Sequence, residues 1–145
     1  MERSTTVAAT PDEVWNVLAD FPAISAWAPN VDHSCLLSEQ TEGVGMARRI
    51  QTAGATVVET VQTWTVGEAL GYRITGLPPV IKSVTNTWRL TPTGDATSVV
   101  LTTEIDAGQR PPQKVIAKAV GRKLASASDE MIAGLTARLE QGSPT

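Results

Sequence analysis

QKVIAKAVGRKLASASDEMIAGLTARLEQ, residues 113–141, is the longest helical pattern in the chain. Its large apolar side chains recur at four- and seven-residue spacings, which predicts one long helix with a single apolar stripe. The stripe residues are Ile116, Val120, Leu124, Met131, Leu135 and Leu139. Because water disfavours an apolar face of this length, the stripe must be buried against the rest of the chain.

The middle of this predicted helix, Ala125–Ser128, carries only small side chains. Two interpretations stay open for this segment. Where it meets a curved sheet, the two surfaces could stand apart and leave a void, or the small residues could bring helix and sheet into close contact, as in most close-packed interiors. Aromatic residues make up only 4% of the chain, which leaves little bulk to fill a large interior.

The middle of the chain predicts a β-sheet. Short β-branched runs there alternate with breaks that contain Gly or Pro. The predicted strands are Val31 to Leu37, Gly45 to Gln51, Ala55 to Val66, Leu70 to Thr75, Val80 to Leu90, and Ser98 to Ile105. The breaks, which include Pro92–Asp95, are too short for a crossover helix, so neighbouring strands must pair as antiparallel hairpins. With a first strand over Ser4–Ala9, the sheet has about seven strands.

Two short helices are predicted between the first strand and the rest of the sheet. Thr10, Pro11 and Glu13 form a capping box with Pro at the first helical position, so a helix begins there. A second helical turn over Ala23 to Trp27 is stopped by Pro29.

These elements predict an α+β fold of the helix-grip type. A curved antiparallel sheet of about seven strands wraps the long C-terminal helix, and two short helices follow the first strand. The length of 145 residues fits one domain over residues 1–141, with a flexible tail over 142–145.

Composition argues against several function classes. A net charge of −3 without a basic run disfavours nucleic-acid binding. No apolar run suits a signal peptide or a membrane span, so we expect a cytoplasmic protein. The single Cys35 and the single His33 cannot supply the three or four ligands of a zinc site, and we expect neither metal nor cofactor. Monomer and homodimer remain equally open.

Several short motifs accompany this order of elements. They are Val14-Trp15 with Leu18-Ala19-Asp20-Phe21, Trp27-Ala28-Pro29, Gly43 to Arg48, Glu59, and Tyr72-Arg73-Ile74 with Pro78-Pro79. Together they resemble the START and Bet v 1-like (SRPBCC) superfamily over nearly the whole chain. More closely, they resemble the bacterial polyketide cyclase/dehydrase and lipid transport group.

The resemblance implies a cavity between sheet and helix that takes a hydrophobic or aromatic small molecule, lipid or polyketide-like. Members of the superfamily include carriers and receptors, aromatase/cyclases, and regulators that bind other proteins. Three functions therefore remain: ligand binding, a polyketide cyclase/dehydratase-type enzyme, and a protein-interaction module. Fold alone does not choose among them.

Arg48 and Glu59 are the most informative pair of residues. A two-residue loop at Ala53-Gly54 pairs Arg48 with Glu59 directly across two strands. The pair is either an exposed ion pair of little energetic weight or an interior pair that orients a ligand. Strand parity does not decide, since neither face of the second strand is plainly apolar and a β-bulge would shift the parity.

Further candidates complete the predicted site. The predicted ligand-binding residues are Trp27, Arg48, Glu59, Trp64, Tyr72, Trp88, Val120 and Leu124. The aromatic residues supply flat walls, and Trp27 is expected near the mouth of the cavity by resemblance to similar folds. Arg48, His33 and Tyr72 are weak catalytic candidates; His33 suits acid–base chemistry only if it faces the cavity. His33 and Cys35 lie on one strand face, without a third partner for nucleophilic catalysis.

Overall fold

The computed structural model describes residues 1–77, 81–107 and 111–141, with side chains for all of these except 82, 107, 111–117 and 141. The predicted tail at 142–145 and the predicted strand start at Val80 lie outside the described residues. The strands are β1 (Glu2–Val7), β2 (His33–Leu36), β3 (Ala47–Gln51), β4 (Thr56–Thr65), β5 (Ala69–Thr75), β6 (Ile81–Thr93) and β7 (Ala96–Ala107). The helices are α1 (Pro11–Ala19), a 3₁₀ helix (Phe21–Ala26) and α2 (Pro111–Gln141).

The described strands form one antiparallel sheet in the order β1-β7-β6-β5-β4-β3-β2. Strands β2 to β7 follow one another as hairpin neighbours, and β1 closes the far side by pairing with β7. The long helix α2 packs against this sheet near β1 and β7. The predicted α+β helix-grip fold is thereby confirmed.

Helix α1 begins as the sequence predicts. The Thr10 hydroxyl accepts a hydrogen bond from the Glu13 backbone N–H at 3.2 Å, and the Glu13 carboxylate accepts one from the Thr10 backbone N–H at 3.2 Å. These reciprocal bonds satisfy two backbone donors that the first helical turn would otherwise leave unpaired. The second helical turn is also present, as the 3₁₀ helix, but it starts and ends earlier than predicted.

Strand β6 is longer than predicted, because Pro92 lies inside it and not in a break. Pro92 pairs with Thr97 of β7, and the hairpin closes only at Thr93 and Ala96. On its other side β6 pairs with β5 no further than Arg89. The missing N–H of proline therefore costs no ladder bond to β5, which is the situation in which a strand tolerates proline.

A β-bulge interrupts β4. Val61 pairs with Tyr72 and Thr63 pairs with Gly71, so Gln62 is an extra residue without a partner in β5. In a regular strand, residues whose numbers differ by an odd number lie on opposite faces. Across the bulge, two such residues lie on the same face. Glu59 and Val61 before the bulge and Trp64 after it all point toward the interior side of the sheet. This change of parity is why the sequence alternation of β4 favours neither face.

The two halves of α2 pack differently. In the second half Met131 and Leu135 are buried in the main core. In the first half the stripe residues Val120 and Leu124 are only partly buried. The side chain of Ile116 lies outside the described residues. The second half of the helix is therefore in close contact with the core, whereas the first half stands off from the sheet.

Close contact at the second half depends on Gly134. A Cβ atom at this position would overlap the backbone oxygen of Trp27 and would lie 2.7 Å from Cδ of Pro29. The helix can therefore approach the segment after the 3₁₀ helix only because residue 134 has no side chain. Gly121, in the first half of α2, is different: a Cβ there would lie 3.7 Å from Cδ1 of Ile105, an ordinary contact.

Substituting these two glycines should change stability in opposite directions. Gly134→Ala should lower the free energy of unfolding by about 1–3 kcal/mol, because the overlap outweighs the better helix propensity of alanine. The matched control Gly121→Ala should raise it by up to about 1 kcal/mol. Urea unfolding monitored by tryptophan fluorescence measures both. Equal stabilisation by the two substitutions would show that α2 does not approach Trp27 closely.

Candidate functional site

A cavity of about 660 Å³ separates the first half of α2 from the sheet. Most of its wall is apolar. The apolar side chains on the wall are Ile24, Val31, Ile50, Ala55, Val57, Ile74, Leu77, Val120, Leu124, Ala127 and Met131. Ala127 belongs to the small-residue stretch Ala125–Ser128 of α2, so this stretch borders the cavity. The close packing of α2 occurs further along, at Gly134.

The cavity is open at one end. The β3–β4 turn forms one side of the opening, where Gly54 and Ala55 are exposed, and Gly76 after β5 is exposed beside it. Lys123 of α2 lies across from these loops and is exposed as well. A ligand would therefore enter between the β3–β4 turn and α2.

Arg48 and Glu59 form a buried ion pair behind the cavity wall. They are direct cross-strand partners, as the two-residue loop predicts. Arg48 is 2% exposed and Glu59 7% exposed. The guanidinium donates from Nε to Oε1 of Glu59 at 2.8 Å, and its Nη2 lies 2.6 Å from the same oxygen in an ion pair. A second hydrogen bond runs from Nη1 to the backbone oxygen of Phe21 at 2.7 Å.

Two aromatic rings cover Arg48. Its Cζ lies 3.6 Å from the centroid of the Phe21 ring and 4.8 Å from that of Tyr72. Ring faces attract a cation, which offsets part of the cost of taking the guanidinium out of water. Glu59 is part of the cavity wall, whereas Arg48 is held behind it. The cavity thus meets the carboxylate of the pair and not the guanidinium.

The carboxylate of Glu59 has one oxygen to spare. The hydrogen bond from Nε and the ion-pair contact from Nη2 of Arg48 both go to Oε1. Among the described residues, no group donates a hydrogen bond to Oε2. Since Glu59 lines the cavity, Oε2 is an acceptor that a bound molecule can use.

A second polar group comes from a row of residues across the sheet. Val61, Tyr72, Asn86 and Thr103 are successive cross-strand neighbours on β4, β5, β6 and β7. Thr103 donates its hydroxyl to Oδ1 of Asn86 at 2.6 Å, and Asn86 donates to the Tyr72 hydroxyl at 3.5 Å. Asn86 is the member of this row that reaches the cavity wall.

The Tyr72 hydroxyl is held in its neutral form. Burial raises the pKa of Tyr72 above the ordinary value of 10.0, and the negative charge of Glu59 raises it further. Arg48 and the hydrogen bonds from Trp88 and Asn86 oppose the shift. Trp88 donates to the hydroxyl from Nε1 at 3.3 Å.

The four tryptophans lie away from the cavity wall. They form two edge-to-face pairs, Trp15 with Trp64 at 5.0 Å and Trp27 with Trp88 at 6.1 Å between ring centroids. None of these four described residues lines the cavity. Trp27, expected near the mouth, lies instead beside the second half of α2, in a separate surface groove with Gly134.

The other predicted site residues divide clearly. Glu59, Val120 and Leu124 line the cavity, whereas Arg48 and Tyr72 lie directly behind its wall. His33 begins the edge strand β2 and is exposed, and Cys35, two residues later on the same strand, is also exposed. The condition under which His33 would serve as an acid or base, facing the cavity, is therefore not met.

Sequence reasoning missed the polar residues of the cavity wall other than Glu59, among them the two amides, Asn30 and Asn86. Oδ1 of Asn30 is buried and has no hydrogen-bond partner among the described residues. For Asn30 the signal was weak: it is a polar residue directly before Val31, where a strand is predicted to start. For Asn86 the signal was an amide in the middle of an otherwise β-branched strand, since a buried amide there needs designated partners.

The sequence profile of the family described as polyketide cyclase / dehydrase and lipid transport matches residues 1–140. The chain belongs to this family. The predicted resemblance is confirmed by this match and by structural neighbours from the START and Bet v 1-like superfamily. No curated protein matches the chain.

Solved structures share the fold of this family member. Zhui aromatase/cyclase from Streptomyces sp. R1128 is 22% identical, with a TM-score of 0.73 over 97% of this chain and 93% of that chain. A START superfamily protein from Mycobacterium smegmatis is 15% identical, with a TM-score of 0.75 over 99% and 98%. The di-domain ARO/CYC StfQ from the steffimycin biosynthetic pathway is 16% identical, with a TM-score of 0.80 over 97% of this chain and 50% of that chain. At these identities the likeness shows the fold alone.

Two further structural findings bear on function. Within the described ranges, none of the helices combines the length and apolar character that crossing a membrane requires. Among the same residues, no three His, Cys, Asp or Glu side chains are grouped closely enough to hold a metal ion.

Tyr72 is the only tyrosine in the chain, so its titration can be followed directly. Tyrosinate absorbance in the folded protein should appear only well above pH 10.0, whereas in urea the midpoint should return to that ordinary value. Because the folded state favours the protonated hydroxyl, the free energy of unfolding should fall as pH rises from about 10 through the raised pKa. A folded-state midpoint at the ordinary value would contradict the burial of this hydroxyl.

Proposed function

We propose that this protein binds a hydrophobic or aromatic small molecule in the cavity between α2 and the sheet. The observation that carries the proposal is the cavity itself, about 660 Å³ with a mostly apolar wall. Ligand pockets in proteins typically measure about 300–1,000 Å³ and combine apolar walls with a few polar groups. The polar groups here are Glu59, Asn86 and Asn30, which suit the orientation of a ligand.

The interior position of the ion pair supports a binding role. A buried ion pair is weak support for stability, since its desolvation cost offsets much of the attraction. In this protein the pair instead places a carboxylate oxygen in an apolar cavity at a fixed position. Phe21 holds the guanidinium through its backbone oxygen, and the guanidinium in turn holds the carboxylate from behind, so a ligand meets a preorganised acceptor.

Filling the cavity should abolish binding without unfolding the protein. Ala127 lines the void, so Ala127→Trp should occupy the space that a ligand needs. The affinity for the apolar fluorescent dye phenylnaphthylamine should fall about tenfold or more, measured by fluorescence titration. Ala119→Trp adds the same side chain at an exposed position of α2 and serves as the control.

Circular dichroism of both variants shows whether the fold is kept. Equal dye affinity for Ala127→Trp, Ala119→Trp and the unsubstituted protein would place the dye outside the cavity and overturn the proposal. Loss of binding in both variants would also count against it, because Ala119 does not border the cavity.

A second candidate is an enzyme of the polyketide cyclase/dehydratase type. The observation that favours it is Oε2 of Glu59, a carboxylate oxygen at an apolar cavity wall for which the described residues supply no donor. A positioned carboxylate of this kind can accept a proton from a poly-β-ketone folded in the cavity. Arg48 would act only through Glu59, since it does not reach the wall.

The enzyme candidate makes a separate prediction. If Glu59 accepts the proton, Glu59→Gln should lower kcat for a linear poly-β-ketone thioester by about 10²-fold or more, while phenylnaphthylamine remains bound. Glu104→Gln, the same substitution at an exposed position of β7, is the control for each measurement. Turnover that survives in Glu59→Gln, or that is absent from the unsubstituted protein, leaves the binding role and excludes this one.

A further inference from the structure

Two polar groups of the described cavity wall are free to accept a hydrogen bond. Oε2 of Glu59 has no donor among the described residues, because Nε and Nη2 of Arg48 both lie against Oε1. Oδ1 of Asn30, also on the wall, is buried and unpaired. An unpaired buried acceptor such as Oδ1 of Asn30 costs about 1–3 kcal/mol, so a ligand that supplies the missing donor recovers that cost on binding.

Asn86 does not change this character. Its Oδ1 accepts from the Thr103 hydroxyl, and one of its two amide N–H bonds is directed to Tyr72, which leaves a single neutral N–H beside the acceptors. The guanidinium of Arg48, which carries the strongest donors nearby, is enclosed by Phe21, Tyr72 and Glu59. The described part of the wall therefore offers a ligand carbonyl or carboxylate no free guanidinium.

Charge decides between a neutral and a cationic donor. Arg48 already balances the charge of Glu59, so the pair as a whole is neutral. A ligand ammonium would bring an unbalanced charge into an apolar cavity next to a guanidinium, which is costly. A hydroxyl supplies the hydrogen bond without that cost.

The mouth of the cavity has a different character. Lys123 is exposed there, so its charge is screened by solvent. Glu59 lies three residues from Thr56 at the mouth, about 10 Å along β4. The two ends of an elongated ligand thus meet different groups.

We infer that the cavity selects apolar molecules that carry a neutral hydroxyl at the end inserted first, where the hydroxyl donates to Oε2 of Glu59. The inference rests on the proposed binding function and adds the chemistry of the ligand. The Arg48–Glu59 pair then binds a ligand group that donates a hydrogen bond. It does not bind a carbonyl or carboxylate through Arg48.

Three probes of one shape test the inference. They are para-hydroxystilbene, para-methoxystilbene, which lacks the donor, and para-(aminomethyl)stilbene, which is cationic at neutral pH. The hydroxy compound should bind about tenfold or more tightly than either of the others, measured by fluorescence titration or calorimetry at neutral pH. Equal affinities of the hydroxy and methoxy compounds would overturn the inference, and so would an equally tight cationic probe.

A single substitution changes the cavity-facing group of residue 59 from a hydrogen-bond acceptor to a donor. In Glu59→Gln the amide oxygen can still accept from Arg48 while the amide N–H group faces the cavity. The preference for the hydroxy over the methoxy probe should then fall to about one or reverse. The matched control Glu104→Gln should keep the full preference. An unchanged preference in Glu59→Gln would refute the role of Oε2.

The outcomes separate this inference from the function on which it rests. Tight but indiscriminate binding of all three probes overturns the selection of a hydroxyl and leaves the binding function standing. Failure of all three probes and of phenylnaphthylamine to bind overturns both. If Glu59→Gln does not fold, the comparison of the three probes on the unsubstituted protein still decides.

Discussion

The buried pair of Arg48 and Glu59 is the constraint on which the interior depends. Moving each charge out of water costs several kcal/mol, so the fold must supply attraction, hydrogen bonds and ring faces in return. It does so from three elements at once: β3 and β4 carry the charges, and Phe21 contributes both a backbone oxygen and an aromatic face. The result is a polar group fixed at the edge of an apolar space, which a loosely held side chain could not provide.

Around this pair the interior divides into two parts. Toward the second half of α2 the Trp27–Trp88 pair and Leu135 fill the space, and the lack of a side chain at Gly134 lets the helix approach. Toward the first half of α2 the helix stands away from the sheet, and the cavity opens past the β3–β4 turn. The sequence holds both arrangements in one helix, since Gly134 brings the backbone in while Ala127 leaves room. Within the small-residue stretch itself, Ala127 borders the cavity and Ser128 is buried, whereas the close approach at Gly134 lies beyond it.

The sequence predicted those features that depend on residues close together in the chain. The capping box fixed the start of α1, and the two-residue loop set the register that pairs Arg48 with Glu59. Burial of that pair was beyond the sequence, because the bulge at Gln62 shifts the parity of β4 and hides which face is apolar. The position of Trp27 was also beyond it, since that depends on a glycine more than a hundred residues later. Contacts between distant segments leave no periodic signal.

The bulge at Gln62 also separates a cavity-lining segment of β4 from a core-packing segment of the same strand. On one side of it, β4 gives Glu59 to the cavity, and on the other it gives Trp64 to the packed aromatic cluster. Glu59, which a ligand would touch, and Trp64, which packs against the core, therefore lie on separate segments of one strand. Changes in the β3–β4 hairpin and the first half of α2 can alter which molecule is accepted while leaving the tryptophan pairs intact. A family built in this way can diversify its ligands without having to rebuild its core.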